Sequence, residues 1–400
     1  MSTTQLTDGV YWVGAIDWNI RNFHGYRTHR GTTYNAFLIV DEKITIIDTV
    51  KAPFFTEMLN RIREIIDPAK IDYIISNHVE MDHSGSLPMM LKEAPNAELF
   101  TVEKFGEAGL RKHFGLDYPM TTVKEGSTLD IGKRQLAFVP IPMLHWPDSM
   151  VTYSPQDEIL FSSDAFGQHL ATSQRFDDEV DNAVIMQEAT KYYANILMLY
   201  GHLIPGAIKK LGGLSIKMIA PDHGVIWRSN PDQIISAYSD WSAGKTTQKA
   251  LVIYDTMWQS SAKMANAIVD GFIAEGVEVK MFNLTATSKC DVITDVLDAK
   301  ALIIGSPTLN NGMLPSVAEF LCYLKGLKPK NKIGAVFGSY GWGGGATKAI
   351  INEMEQTGIE IVEPELTFKW VPEESELAQC VEFGRKIAAK MRMDGQSDVS

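Results

Sequence analysis

Cysteine is scarce: three residues in 400, Cys290, Cys322 and Cys380, far apart and all in the C-terminal part. That excludes a disulfide framework and a CxxC metal knuckle, so any metal site here has to use nitrogen and oxygen donors. Positive charge is also in deficit, with 37 Lys and Arg against 49 Asp and Glu and a formal net charge of −12. Such a chain repels nucleic acid and anionic membrane surfaces, and neither is expected as a partner. No apolar run approaches the length of a bilayer span, and the opening "MSTTQLTDGV" has neither a basic start nor an apolar core. The expectation is a cytoplasmic protein with no membrane segment and no secretory signal. No solenoid repeat and no low-complexity tract stand out.

What the chain does contain is enough apolar residue, 45%, for well-packed cores, and its length exceeds what one core ordinarily holds, so two domains are expected. The rhythm changes along the chain. Up to about Asp130, strand-like runs such as "GVYWVGA", "NAFLIV", "KITIIDT" and "DYIISN" are interleaved with helical ones; "RQLAFVPIPMLH", "MVTYSP", "EILFSSD" and "IKMIAPDHG" then read as further strands, with a mainly helical stretch from Asp178 to Leu211. This predicts sheets packed as a sandwich and flanked by helices. After Gly244, strand and helix alternate strictly: "KALVIYDT", "VEVKMFNL", "ALIIGSP", "KIGAVFGSY" and "IEIVEPELTF" predict five strands of a doubly wound parallel sheet. The polar "SAGKTTQK" marks the boundary, dividing the chain into 1–248 and 249–400.

The stretch "SNHVEMDHSG" carries His78, Glu80, Asp82 and His83 directly after the strand-like "DYIIS". His145, Asp164 and His223 likewise fall at the ends of later predicted strands. Loops at one edge of a sheet let such side chains converge, so these seven form a candidate metal set. The pattern resembles the metallo-β-lactamase superfamily, whose usual HxHxDH motif reads HxExDH here. The resemblance implies an αββα sandwich and a two-metal site. By motif position, it assigns His78, Glu80 and His145 to one metal, Asp82, His83 and His223 to the other, and Asp164 to the bridge. Glu80 replaces an imidazole by a hard anionic oxygen, which favours iron over the zinc usual in His-rich sites. Three carboxylates against the four charges of two ferrous ions suit a redox pair.

In the C-terminal half, "TMWQSSAKMANA" follows a strand and opens a helix without the GK[ST] of a Walker loop, a place where backbone N–H groups hold phosphate. "GSPTLNNGM" and "GSYGWGGGA" follow two more strands of the same sheet. The segment is similar to flavodoxins and implies bound FMN. By position, Thr256, Met257, Trp258, Gln259, Ser260 and Ser261 hold the phosphate. Ser306, Pro307, Thr308, Leu309 and Asn310, with Ser339, Tyr340, Gly341, Trp342, Gly343 and Gly344, line the isoalloxazine. "GWGGGA" also matches a dinucleotide fingerprint, but that motif belongs to the first strand of a six-stranded fold, and only one further strand is predicted after it.

A carboxylate-rich two-metal domain followed by an FMN domain resembles the flavodiiron proteins over nearly the whole chain. The resemblance implies an oxidoreductase that passes electrons from FMN to a non-haem diiron site and reduces O₂ to water, NO to N₂O, or both. It implies a head-to-tail homodimer. The absence of CxxC points to a separate electron donor, with rubredoxin as the leading candidate. His24, and one of Tyr192 and Tyr193, match family positions near the exogenous ligand, where they would serve as proton donors. His29, His113, His169 and His202 are read as surface or structural. The rivals are a dizinc hydrolase with an appended flavodoxin domain, and an electron carrier whose N-terminal domain only binds a partner.

Overall fold

The computed structural model describes residues 3–397, with side chains to Met393. Two compact units are present: one takes the chain up to Tyr193 together with Tyr200–Ser239, the other Ala194–Leu199 with the chain from Asp240 onward.

In the first unit, a seven-stranded sheet runs in the order Thr4–Thr7, Val10–Trp12, Phe37–Ile39, Thr45–Ile47, Tyr73–Ser76, Glu98–Val102 and Met120–Val123. A five-stranded sheet runs Thr128–Asp130, Gln135–Pro140, Met150–Ser154, Ile159–Ser163 and Met218–Pro221. Side-chain alternation sets the layers. Phe37, Ile39, Ile47 and Ile75 pack with Phe138, Met150 and Phe161 of the other sheet, and the Phe37 and Phe161 rings lie 5.1 Å apart. Their neighbours Leu38, Ile46 and Ile74 face the opposite way, against Met58 and Ile62 of the helix Phe55–Ile65. Truncating Phe161 to Ala in this layer would cost about 3–5 kcal/mol.

The second unit is one parallel sheet in the order Glu278–Asn283, Thr247–Tyr254, Ala299–Gly305, Ile333–Tyr340 and Glu360–Ile361, with Leu366–Lys369 also paired to Ile333–Tyr340. Its central strands are apolar along their whole length because both faces are covered. Val252, Ile303 and Phe337 pack on helices Ser260–Ala274 and Glu374–Ser397, while the intervening Leu251, Ile253 and Leu302 are also fully buried.

Three local readings change. "IEIVEPELTF" forms two short strands rather than one, because Pro364 lacks the N–H the ladder needs. "GVYWVGA" breaks at Gly14, where a Cβ would lie 2.3 Å from the Tyr34 carbonyl oxygen. The strand before His145 stops at Pro140; the Ile141 N–H still donates to the Ser149 carbonyl, but Pro142 has no N–H, and His145 sits in the turn beyond instead of at the strand end.

Candidate metal centre and flavin site

The strand Tyr73–Ser76 ends beneath the site, and the chain turns at once into the short helix Met81–Ser84. The cluster Glu80 to His83 therefore lies on the approach and first turn of a helix, which places Asp82 and His83 beside one another. Asp164 follows Ile159–Ser163 directly, and His223 comes two residues after Met218–Pro221. The seven predicted residues gather in two groups, His78 with Glu80, His145 and Asp164, and Asp82 with His83 and His223; the potential ligand atoms of each group lie within 4.8 Å of one another.

Asp164 joins the groups through its two oxygens. Its Oδ2 lies 3.5 Å from His78 Nε2 and 3.1 Å from His145 Nε2. Its Oδ1 lies 3.1 Å from His83 Nε2 and 3.4 Å from His223 Nε2. Glu80 Oε2 is 3.3 Å from both His78 Nε2 and His145 Nε2. Asp82 reaches His83 Nε2 at 3.4 Å and His223 Nε2 at 3.2 Å. Glu80 and His145 keep 15% side-chain exposure while the other five are buried, so the site opens on their side.

The far side of two rings, His78 and His223, is anchored by a hydrogen bond, which fixes which nitrogen faces the centre. His78 Nδ1 lies 3.0 Å from Asp148 Oδ2, an oxygen that also accepts from the Val79 N–H at 2.7 Å. His223 Nδ1 donates to the Thr33 carbonyl at 2.7 Å. His83 Nδ1 approaches Asp222 at 3.5 Å, an ion-pair distance longer than a hydrogen bond is expected to be. Beneath them Asp48, at a left-handed φ of 56°, accepts both the backbone and side-chain N–H of Asn77 at 2.7 Å.

The electrostatics are those of a cation site. Burial pulls the His78 imidazole down, but hydrogen bonds to Asp148 and Glu80 outweigh it, leaving it pushed up to about 10. His145, by the same opposition of burial to Asp164 and Glu80, stands at about 9. His83 is raised well above the usual imidazole range, as burial loses to Asp82, Asp164 and Asp222. Burial opposes ionisation of Asp164 as well, yet His83 and His145 hold its carboxyl well below the ordinary range. The carboxylates thus favour positive charge at the imidazole positions, the charge that metal cations would supply. Asp82 Oδ1 and His83 Nε2 are buried without a hydrogen-bond partner. Buried ligand atoms left without a hydrogen-bond partner in an oxygen and imidazole set of this kind fit two divalent ions.

Tyr192 donates its hydroxyl to Asp164 Oδ1 at 2.9 Å, whereas the ring of Tyr193 lies against Tyr238 at 5.1 Å. His24 Nε2 stands 3.8 Å from Glu80 Oε1 with its side chain 79% exposed. His169 is buried rather than superficial: its Nδ1 meets Thr32 Oγ1 at 2.8 Å and its ring lies 4.7 Å from that of His223. Asp148, Asp222 and Asp48 escaped the sequence reading. The sequence pattern does not mark them, since a lone Asp reads as surface or turn.

In the second unit, a cavity of about 590 Å³ is lined by Thr256, Met257, Trp258 and Ser260, by Pro307, Thr308, Asn310 and Asn311, by Ser339 to Gly343, and by Trp370 and Val371. Of the predicted set, Gln259, Ser261, Ser306, Leu309 and Gly344 do not line it. Gln259 precedes the helix in a left-handed conformation. Ser261 is buried, its Oγ 3.4 Å from that of Ser339. Ser306 Oγ accepts from the Leu314 N–H at 3.0 Å. Leu309 closes a turn with Gly312, and Gly344 lines a smaller neighbouring cavity. Asn311, Trp370 and Val371 were missed, the last two because they follow a strand that proline splits. Trp258 is 87% and Trp342 97% exposed, so neither is core packing. The buried Thr256 Oγ1 has no partner, and no side chain caps the helix Ser260–Ala274 that follows. A cavity of this size with flat aromatics at its rim and uncapped N–H groups at one end fits a flavin mononucleotide. Gly345, the last glycine of the dinucleotide-like motif, has a local reason: a Cβ there would lie 2.3 Å from the Asn311 carbonyl oxygen.

Two neighbouring sets of potential metal ligands at the loop edge of a β-sandwich, on one chain with a flavin-sized cavity in a parallel-sheet unit, define a flavoprotein of two modules. The comparisons agree. Residues 32–224 match the ODP family beta lactamase model and residues 252–384 the flavodoxin model. The chain is 50% identical to a nitric oxide reductase of Moorella thermoacetica over 96% of this chain and 98% of that one. It is 41% identical to the rubredoxin-oxygen oxidoreductase of Megalodesulfovibrio gigas over 98% and 99%. Its fold superposes on the flavodiiron protein of Giardia intestinalis with a TM-score of 0.96 at 37% identity, covering 99% and 98%. The chain belongs to the flavodiiron protein family.

Proposed function

We propose that this chain is a flavodiiron oxidoreductase that accepts electrons from rubredoxin and reduces O₂ to water, NO to N₂O, or both. The observation that carries the reading is Asp164, whose two oxygens face two separate sets of imidazole and carboxylate ligands, on a chain that also holds a flavin-sized cavity. His78, Glu80 and His145 would hold one iron and Asp82, His83 and His223 the other, with Asp164 between them. When bound, FMN collects electrons and the iron pair delivers them to the diatomic substrate.

The chain's own residues supply the rest. Asp148 and the Thr33 carbonyl keep Nε2 of His78 and His223 turned toward the centre. Glu80 and His145, the two ligands with some exposure, mark the side from which a gas enters. Both reductions consume protons; the Tyr192 hydroxyl, raised by burial and Asp164, holds its proton at Oη 2.9 Å from the bridging carboxylate. His24, exposed beside Glu80, can exchange protons with solvent. Thr256 and the first turn of the helix Ser260–Ala274 would hold the FMN phosphate, and Trp258, Trp342 and Trp370 would flank the ring.

A head-to-tail homodimer is part of the proposal. It is supported by exposed apolar side chains round each site: Trp258, Trp342, Trp370 and Val371 at the flavin cavity, and Met81 and Met143 beside the metal ligands. No helix among the described residues is long and apolar enough to cross a membrane, and we place the protein in the cytoplasm. A dizinc hydrolase with an appended flavodoxin module is set aside, since relatives at 50% and 41% identity over nearly the whole chain are named a nitric oxide reductase and a rubredoxin-oxygen oxidoreductase. The test is direct: protein holding two irons and one FMN per chain should consume O₂ or NO with reduced rubredoxin. Inertness toward both gases would refute the reading.

A further inference from the structure

The loop that carries His223 is held by a device outside the ligand set. Asn35 is fully buried and makes four hydrogen bonds. Its backbone N–H donates to the Asp222 carbonyl at 2.7 Å, and its side-chain amide donates to the carbonyls of Pro221 at 2.7 Å and Gly224 at 3.0 Å. Its Oδ1 accepts from the Trp12 indole N–H at 2.8 Å. Three bonds thus fall on the four-residue loop Pro221 to Gly224, which contains one metal ligand and the carboxylate behind another.

The amide's orientation is fixed by Trp12. An indole nitrogen can only donate, so it meets the amide oxygen and leaves both amide hydrogens for the loop. Trp12 is itself clamped: the guanidinium carbons of Arg61 and Arg175 lie 4.8 and 4.5 Å from its ring centroid. Arg61 is 2% exposed and donates to the Gly14 carbonyl. Thr33 adds the remaining restraint, accepting from His223 Nδ1 and from the Gly224 N–H, both at 2.7 Å. His78 and His145 have no connection of this kind; His78 is oriented by Asp148 instead.

We infer that Asn35, oriented by Trp12, is a positioning residue for one half of the metal centre, the Asp82, His83 and His223 half, and not for the other. The inference rests on the two-metal reading above. Asn35→Asp keeps the shape but turns two donors into acceptors facing the Pro221 and Gly224 carbonyls. Trp12→Phe removes the indole donor while keeping an aromatic ring, smaller than the indole, between Arg61 and Arg175.

Full-length holoprotein is titrated anaerobically with ferrous iron against a competing chelator, and metal per chain is counted at each step. The unaltered protein should hold two ions. Asn35→Asp should lose one of them about 10- to 100-fold more readily, the range typical for groups that orient metal ligands, and keep the other at its original affinity. Trp12→Phe should weaken the same ion by a smaller factor. Equal weakening of both ions, or no weakening of either, overturns the inference. If Asn35→Asp does not fold, Trp12→Phe decides alone by the same outcomes. An unaltered protein that binds fewer than two ions would refute the two-metal reading itself, a separate result from unselective loss in the variants.

Discussion

Loading the metal-free protein with ferrous iron should expel about three protons per chain at pH 7.5. The count comes from the imidazoles that must give up a proton before they can ligate. His78 stands at about 10 and His145 at about 9 in the unloaded site, and His83 is raised well above the ordinary range. All three therefore carry protons at pH 7.5. The carboxyls of Glu80 and Asp164 are held low, Glu80 by His145 and His78 against its burial and Asp164 by His83 and His145, so they contribute none. Each displaced proton adds one unit to the slope of log K against pH. Raising the pH by one unit in this region should therefore multiply the product of the two metal association constants by about a thousand, or about 4 kcal/mol. An imidazole whose folded value is raised stabilises fully below about 6.5, and that contribution is lost as pH rises through the folded value, here about 9 to 10. Calorimetry in two buffers of different ionisation enthalpy, or a pH indicator in weak buffer, counts the protons. Asp148→Asn removes the carboxylate that holds the His78 proton, and release should fall toward about two. Release of one proton or none by the unaltered protein would refute the claim that imidazolium ions balance the carboxylates.

Tyr192→Phe should leave iron content unchanged and lower turnover with either gas by about tenfold or more, whereas Tyr193→Phe should alter neither; steady-state gas consumption distinguishes them. Glu80→His should shift metal preference toward zinc and slow turnover, read by metal analysis after growth with both metals. Thr256→Val deletes a hydroxyl without a protein partner and should weaken FMN retention about 10- to 100-fold, followed by flavin fluorescence on dilution. In the second unit, burial and then the neighbouring Lys300 and Lys249 push the Lys332 ammonium down to about 7, with Asp298 opposing. The unfolded chain then binds more protons between about 7 and 10.5, so stability rises with pH across that window. Lys332→Met should stabilise at pH 8 by about 3 kcal/mol, less about 1 kcal/mol for the lost bond to the Leu297 carbonyl. The gain should shrink as pH approaches 10.5 in thermal melts.

The ligand cluster was legible because its chemistry is local. His78, Glu80, Asp82 and His83 follow an apolar run, and few roles other than metal binding need so many donors in one loop. The parallel sheet of the second unit was legible because strands covered on both faces stay apolar along their length. What the linear pattern could not carry was the aim of each side-chain atom. That Asp164 turns one oxygen to each metal group depends on where Ile159–Ser163 ends relative to Tyr73–Ser76, strands of two different sheets. Tyr192 and Tyr193 are adjacent and chemically alike; helix rotation alone turns one toward Asp164 and the other toward Tyr238. Asp148 and Asn35 look like any loop residue until the fold buries them, because a hydrogen bond between residues far apart in sequence leaves no periodicity to read. The sequence by itself determined the donor chemistry, the two modules and most of the residues that line the flavin-sized cavity. Only the tertiary structure decided which nitrogen each ring presents and what holds it there, since those depend on distances that no local pattern encodes, whereas the grouping of the donors was already implied by the family resemblance.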